Sequence, residues 1–219
     1  NEVDNDIADQ GNRTYIYSGG GQDSISSRNN HNGVILDGGA GNDHIYMGSS
    51  NSTLIGGAGD DTLTVTSPMA ENVTFNGGTG TDTLSGSYGK DTYIFNLGDG
   101  FDTVIETDDV GQGDTIYFGA GIAGIGQDIT VSRDYDGENS YDLLLSHDNG
   151  TDQVRIKDWY KDKKFQIEKI EFASGGVWSR DVINERGLTI NGSDGKDILV
   201  GIGRQWLAVR ENFADTKGF

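Results

Sequence analysis

The sequence contains no cysteine, one proline and few basic residues. Its 219 residues carry 16 Lys and Arg against 35 Asp and Glu, which gives a net charge of -19. The absence of cysteine excludes disulfides, thiol catalysis and Cys-ligated zinc. Because nucleic-acid binding depends on clustered Lys and Arg, this charge balance argues against DNA or RNA as a partner. No stretch approaches the roughly 18 to 20 apolar residues that span a bilayer.

Glycine and aspartate are abundant instead. The chain has 35 Gly, and 27 of its 35 acidic residues are Asp. The short Asp side chain suits tight turns, and Gly supplies the positive-φ positions that such turns require. With 33% hydrophobic residues and a large excess of one charge, the chain is expected to repel itself unless cations neutralise it.

A nine-residue repeat of the form G-G-x-G-x-D-x-U-x, where U is apolar, accounts for this composition. Three segments match every signature position: 38–46, 56–64 and 77–85. Degenerate copies keep the same register at 18–26, 47–55, 86–94 and 97–105. The pattern predicts six-residue turns alternating with very short strands, two repeats to a coil, with the apolar residue of each strand pointing inward.

The spacing of the aspartates predicts a cation site. Asp43 and Asp61 are 18 residues apart, so they should lie on adjacent coils at one edge. Carboxylates and backbone carbonyls from successive turns would then form a cage of oxygen atoms. Oxygen-only ligand sets favour hard cations, calcium above all.

These repeats resemble the hemolysin-type, RTX (repeats in toxin) calcium-binding family over about residues 9–118. The resemblance implies an all-β fold, a right-handed parallel β-roll, that binds several calcium ions, roughly four to six. It assigns the ligating aspartate of each repeat to Asp23, Asp43, Asp61, Asp82, Asp91 and Asp102. It assigns carbonyl co-ligands to Gly39, Gly41, Gly57, Gly59, Gly78 and Gly80. Ser52 replaces the expected aspartate in repeat 47–55, which should therefore bind an ion weakly or not at all.

The aspartate spacings also separate the two edges of the roll. Five aspartates follow one another by 18 to 21 residues and should form one stack: Asp23, Asp43, Asp61, Asp82 and Asp102. The inserted residues, around 27–33 and 66–72, should fall on the opposite edge. We therefore expect up to four calcium ions along the stack and one or two on the other edge, around Asp91 and Asp114.

The sequence changes character after residue 114. Strands are predicted at 115–118, 129–133, 141–146, 153–158 and 165–172, and a helix after an N-cap at Ser179. Turn sequences at 136–137 and 149–150 predict an antiparallel meander over 129–158. The chain should thus divide into a calcium-binding roll (1–114), a β-rich capping region with a short helix (115–190) and a tail (191–219) in which residues 192–200 restart the repeat.

The capping region resembles the segment that follows the repeats in hemolysin-type proteins. A solenoid needs such a cap, because its last coil would otherwise expose apolar side chains and unpaired strand edges. The candidates for this apolar cover are Ile156, Trp159, Tyr160, Phe165, Ile167, Ile170, Phe172 and Trp178. Trp159 and Tyr160 could alternatively stack on a sugar.

No catalytic residue can be nominated, because no nucleophile motif is present and carboxylate pairs are too abundant to identify a dyad. The resemblance implies a non-enzymatic, monomeric module of a secreted bacterial toxin, adhesin or exoprotein. Such a module would be disordered at low calcium, leave the cell through type I secretion machinery, and fold outside the cell or at its surface. Two alternatives remain open: a glycan- or host-surface-binding module of a large adhesin, and a non-catalytic part of a secreted hydrolase or epimerase.

Overall fold

The fold was analysed in a computed structural model of the chain, which describes residues 3–9, 11–28, 31–107, 113–123, 128–134 and 141–187. The predicted turn at 136–137 and the repeat restart at 192–200 lie outside the described residues. Within these ranges, no helix is both long enough and apolar enough to cross a membrane.

Short β-strands dominate the described residues. The first eleven are β1 (Asp6–Ala8), β2 (Tyr15–Gly20), β3 (Ser24–Ser26), β4 (Ile35–Ala40), β5 (His44–Met47), β6 (Thr53–Ala58), β7 (Thr62–Val65), β8 (Thr74–Thr79), β9 (Thr83–Ser85), β10 (Thr92–Phe95) and β11 (Phe101–Ile105). The others are β12 (Thr115–Phe118), β13 (Ile129–Arg133), β14 (Leu143–His147), β15 (Gln153–Ile156), β16 (Lys169–Phe172) and β17 (Val177–Ser179). A 3₁₀ helix spans Lys163–Phe165, and the helix α1 spans Arg180–Gly187.

The strands form two sheets that the chain visits alternately. Sheet 1 has the order β2-β4-β6-β8-β10-β12-β16-β17, and sheet 2 has the order β1-β3-β5-β7-β9-β11-β15-β14-β13. Every pair from β1 to β12 is parallel, as are β11 with β15 and β12 with β16. The predicted fold class, an all-β parallel solenoid followed by antiparallel strands and a short helix, is confirmed.

The core is a set of apolar columns between the two sheets. In sheet 2 the inward residue of each repeat lies directly on its counterpart one coil away, as in the pairs Ile25 with Ile45 and Leu63 with Leu84. Sheet 1 contributes a parallel column in which Leu36, Leu54 and Phe75 follow one another. All of these side chains are fully buried. Because the coil superimposes the apolar residue of each repeat, only a few further buried residues, such as Met47, Val65 and Val73, are needed to complete the interior.

The residues after 128 close the far end of the solenoid. Strands β13, β14 and β15 form the predicted antiparallel meander, with a turn between β14 and β15 that includes Asn149 and Gly150. On sheet 1, Phe172 packs against Phe118 with ring centroids 5.4 Å apart and against Trp178 at 4.9 Å. The amide of Val182 donates to Ser179 Oγ at 3.4 Å, consistent with the predicted N-cap of α1.

The predicted strand at 165–172 is partly wrong. Phe165 ends the 3₁₀ helix, whose first turn is capped by Asp162, and the strand begins only at Lys169. Most of the predicted cover is buried, namely Ile156, Trp159, Ile167, Ile170, Phe172 and Trp178, whereas Tyr160 and Phe165 are half-buried. Because Trp159 is fully buried, it is a core residue and is not available to stack on a sugar.

Gly57 shows how closely the coils approach one another. Its φ is +115°, and a Cβ at this position would lie 2.0 Å from the carbonyl oxygen of Gly39 in the preceding coil. Gly98 also has a positive φ, of +95°, but no atom lies within 4 Å of the position its Cβ would take. Substitutions at these two positions therefore share the backbone strain, but only the one at Gly57 adds a collision between coils.

We expect Gly57→Ala to destabilise the protein more than Gly98→Ala. Both substitutions force an L-residue into the left-handed region, at a cost of roughly 1–2 kcal/mol. Gly57→Ala adds overpacking against the next coil, which typically costs a further 1–3 kcal/mol or so. Thermal unfolding of both variants in the same calcium concentration measures the difference. Equal losses of stability would contradict close contact between these turns.

Candidate metal centre

The five stacked aspartates lie along the turns that lead from sheet 1 to sheet 2, here called edge 1. The backbone N–H of each of the first four donates to Oδ1 of the aspartate in the next coil. The distances are 2.7 Å from Asp23 to Asp43, 2.7 Å from Asp43 to Asp61, 2.8 Å from Asp61 to Asp82 and 3.0 Å from Asp82 to Asp102. The structure thus brings all five together in one aspartate ladder (Asp23, Asp43, Asp61, Asp82 and Asp102).

In four of the five ladder carboxylates, the second oxygen, Oδ2, has no hydrogen-bond partner. Oδ2 of Asp23, Asp43, Asp61 and Asp82 is buried and accepts no hydrogen bond. A buried carboxylate oxygen without a partner loses its hydration and gains nothing in return, which is costly. This pattern indicates oxygens that are positioned for a ligand from outside the polypeptide.

The first glycine of the repeat leaves space beside these oxygens. A Cβ on Gly56 would lie 2.3 Å from Asp61 Oδ2 and 2.4 Å from the carbonyl oxygen of Gly77 in the next coil. A Cβ on Gly38 would likewise meet Asp43 Oδ2 at 2.3 Å and the Gly56 carbonyl oxygen at 2.8 Å. Each missing methyl group therefore marks a small space into which one carboxylate oxygen and one carbonyl oxygen project.

The pKa values of the ladder aspartates also indicate that a cation would stabilise their charged form. Burial, reinforced by neighbouring aspartates, raises the pKa of Asp61 to about 7 and that of Asp102 to about 8. Burial raises the pKa of Asp82 to about 6 and also raises that of Asp43. At Asp23, burial is outweighed by the nearby Ser18 hydroxyl and by the two hydrogen bonds that Asn5 donates to Oδ1, and the pKa is lowered. Most of the ladder is thus a row of carboxylates whose charge is disfavoured by its surroundings.

Calcium fits this donor set. The donors are carboxylate and carbonyl oxygens, with no nitrogen or sulfur, which is the preference of hard cations. The glycines predicted as carbonyl co-ligands lie in the same edge-1 turns: Gly39, Gly41, Gly57, Gly59, Gly78 and Gly80. The carbonyls of Gly56 and Gly77, which the sequence did not nominate, also approach the sites of the missing methyl groups beside Asp43 Oδ2 and Asp61 Oδ2, at 2.8 Å and 2.4 Å from the Cβ positions of Gly38 and Gly56.

The opposite row of turns, from sheet 2 to sheet 1, is here called edge 2 and has a shorter ladder. The N–H of Val73 donates to Asp91 Oδ1 at 3.0 Å, that of Asp91 to Asp114 Oδ1 at 2.8 Å, and that of Asp114 to Glu168 Oε2 at 3.0 Å. Glu168 belongs to the capping region. The cap therefore provides the final acceptor of this ladder.

A compact carboxylate cluster lies at this ladder. Asp91, Glu106 and Asp114 are buried, and each offers a ligand atom within 4.8 Å of the others. The hydroxyl of the buried Tyr93 donates to Glu106 Oε1. The predicted pair of Asp91 and Asp114 is thus joined by a third acid that the repeat template does not contain.

Glu106 could have been suspected from the register alone. It directly follows Ile105, which pairs with Ser85, so it occupies the place held by Gly86 one coil earlier. Gly86 leaves room for it, since a Cβ there would lie 2.5 Å from Glu106 Oε1. The repeat pattern does not reveal Glu106, because it expects a glycine at this position.

The first coils of edge 2 lack carboxylates at the ladder position. Ser52 Oγ accepts the N–H of Val34 at 3.0 Å, in the place where Asp91 accepts that of Val73. Val34 and Val73 themselves are fully or almost fully buried. Exposed asparagines connect these turns instead: Asn51 donates to Asn32 at 3.1 Å and Asn72 donates to Asn51 at 3.2 Å.

Comparisons with known proteins agree with this geometry. Residues 37–65 and 74–104 match the RTX calcium-binding nonapeptide repeat (4 copies), and residues 142–182 match the Haemolysin-type calcium binding protein related domain. A search of curated proteins found no match to the chain. The two matched families cover most of edge 1 and most of the cap. The chain therefore carries RTX calcium-binding nonapeptide repeats followed by a haemolysin-type calcium binding protein related domain.

Proposed function

We propose that this chain is a structural, non-enzymatic module whose folding is driven by calcium bound along the aspartate ladder. The observation that carries the proposal is the row of buried, unpartnered Oδ2 atoms at Asp23, Asp43, Asp61 and Asp82. Each carboxylate already uses Oδ1 to hold the previous coil. A cation at Oδ2 would hold the next turn as well, so that ion binding and coil stacking become one event.

Without an ion, the ladder opposes folding. Adjacent carboxylates must be buried at one edge, and their raised pKa values reflect the cost of burying that charge. Each bound calcium ion neutralises two negative charges and so lowers the repulsion between the carboxylates. For sites with a dissociation constant of about 0.1 mM, roughly 1 mM calcium adds about 1.4 kcal/mol per site, or about 5 to 6 kcal/mol for four sites. That is comparable to the whole stability of a small domain.

The two edges would contribute unequally. Edge 1 offers five ladder aspartates in successive coils, which accommodates up to four ions between neighbours. Edge 2 offers the Asp91, Glu106 and Asp114 cluster, which accommodates one or two. The asparagine contacts at Asn32, Asn51 and Asn72 use no ion, so the first turns of edge 2 stack through hydrogen bonds between side chains instead.

Calcium-coupled folding suits a secreted protein. Submicromolar calcium inside a cell would leave the ladder empty and the chain expanded, whereas millimolar calcium outside would fold it. We therefore propose that the parent protein leaves a bacterial cell through type I secretion machinery, and that this module acts outside the cell or at its surface. The cap would shield the far end of the roll, which favours a monomer.

A calcium titration followed by far-UV circular dichroism tests the proposal. We expect a cooperative gain of β-structure at submillimolar to millimolar calcium, and no such gain with magnesium, which demands tighter octahedral geometry. Asp61→Asn keeps an oxygen for the N–H of Asp43 but loses the charge. Its titration should shift to higher calcium, with a loss of about 1.4 kcal/mol of stability in 1 mM calcium, the contribution of one site at the assumed affinity.

The matched control is Asp148→Asn, which removes one carboxylate from an exposed turn at the meander. It should titrate like the wild type. A β-sheet spectrum that is already complete in chelator, or equal shifts for the two variants, would be incompatible with folding driven by the ladder.

The calcium-free protein should become more stable as the pH falls from 8 to 5. In the folded state the pKa is about 7 for Asp61, about 6 for Asp82 and about 8 for Asp102, against an ordinary value of 3.8. Carboxyl groups with raised folded-state pKa values stabilise the fold when protonated, and this contribution is lost as the pH rises through about 6 to 8. Far-UV circular dichroism in metal-free buffer from pH 8 to pH 5 measures this as a gain of β-structure, and a flat or opposite trend would argue against a buried, charged ladder.

A further inference from the structure

The cationic side chains of the chain are distributed very unevenly. Residues 3–107 contain 14 Asp and Glu but only three Lys and Arg, whereas residues 128–187 contain nine of the 16 Lys and Arg. Four of these nine lie within eight residues, at Lys157, Lys161, Lys163 and Lys164. We call residues 157–164 the lysine loop. It connects β15 to β16 and so continues the row of turns along edge 2.

The lysine loop is firmly anchored from beneath. Trp159 is fully buried, and its Nε1 donates to Asn184 Oδ1 at 2.8 Å. The side chain of Gln166 donates to the Trp159 carbonyl at 2.9 Å, and the N–H of Tyr160 donates to the Tyr141 carbonyl at 2.7 Å. A loop held in this way presents its charged side chains from a fixed backbone, which lowers the entropic cost of binding a partner.

The four lysines are exposed and largely uncompensated. Lys161 pairs with Asp158 at 3.3 Å, whereas Lys157, Lys163 and Lys164 have no carboxylate within 4.0 Å among the residues the structure describes. The ammonium groups of Lys161 and Lys164 lie 5.5 Å and 4.9 Å from the centre of the Phe165 ring. One ring thus holds two cations within about 10 Å of each other.

We propose that the lysine loop binds a linear, sulfated polysaccharide. A short cluster of exposed lysines is a common recognition element for polyanions, because ionic contacts release counterions from the polymer. The proposal is independent of calcium-driven folding, since no ladder residue belongs to the loop. It requires only the folded cap.

The position of the loop favours a polysaccharide over a membrane or a nucleic acid. A flat anionic membrane would have to contact a long stretch of edge 2, which includes the exposed Glu71, whereas a linear polymer can cross the edge at the loop alone. The loop also has no fully exposed aromatic ring for base stacking, because Trp159 is buried and Tyr160 is half-buried, and the adjoining Phe165 is half-buried beneath two ammonium groups. Sulfate groups on a flexible chain require neither a flat surface nor stacking.

Fluorescence anisotropy with a labelled heparin oligosaccharide tests the proposal on the full chain in about 1 mM calcium. If all four lysines make ionic contacts, affinity should fall on the order of 100-fold between about 50 and 200 mM salt. The triple variant Lys157→Gln, Lys163→Gln and Lys164→Gln should flatten the salt dependence, lowering its logarithmic slope by about 3. Circular dichroism of each variant verifies that the fold is retained.

A matched triple variant removes the same charge from earlier turns of edge 2 and so tests whether the loop alone is the site: Arg13→Gln, Arg28→Gln and Lys90→Gln. It should bind heparin like the wild type. Equal losses in the two triple variants would overturn the assignment to the loop, as would the absence of binding at 50 mM salt. Tighter binding to single-stranded DNA or to phosphatidylglycerol vesicles than to heparin would replace the polysaccharide with one of those partners.

Discussion

The architecture depends on how the two oxygens of each ladder aspartate are used. Oδ1 accepts the backbone N–H of the aspartate one coil earlier, from Asp23 through to Asp102, and this fixes the stacking of successive turns. Oδ2 is buried without a partner at four of the five positions. The hydrogen bonds alone would leave a row of desolvated charges at one edge. A bound cation resolves that conflict, and the same contact that neutralises the carboxylates also joins the turns.

The glycine content follows from this constraint. Turns that are stacked closely enough for Asp61 Oδ1 to accept the N–H of Asp43 in the preceding coil also bring Gly57 against the Gly39 carbonyl and leave no room for a side chain. The first glycine of the repeat, such as Gly56, is needed for a different reason, because a methyl group there would occupy the space beside Asp61 Oδ2. Glycine at these two positions thus serves packing between coils and access of an ion, respectively. The apolar residue of each repeat and a few further buried residues, such as Met47 and Val65, fill the narrow interior.

The repeat made the roll and its edge-1 ladder predictable from the sequence. A period of 18 residues per coil encodes which residues superimpose, so Asp43 and Asp61 could be paired without a structure, and the inserted residues could be placed on the other edge. Prediction failed where no repeat encodes the contact. Glu106 joins Asp91 and Asp114 because it replaces a glycine, and Glu168 completes their ladder from far along the chain. The predicted strand wrongly included Phe165, because the structure of the capping region depends on individual contacts. One of these is the hydrogen bond by which Asp162 caps the start of the 3₁₀ helix.

The most direct test of the central claim is amide hydrogen exchange, followed by NMR with and without calcium, at Asp23, Asp43, Asp61 and Asp82. These amides donate to the ladder carboxylates. If four ions contribute about 5 to 6 kcal/mol, calcium should slow their exchange by roughly 10⁴-fold. Equal exchange rates at the four ladder amides in calcium and in chelator would contradict the account.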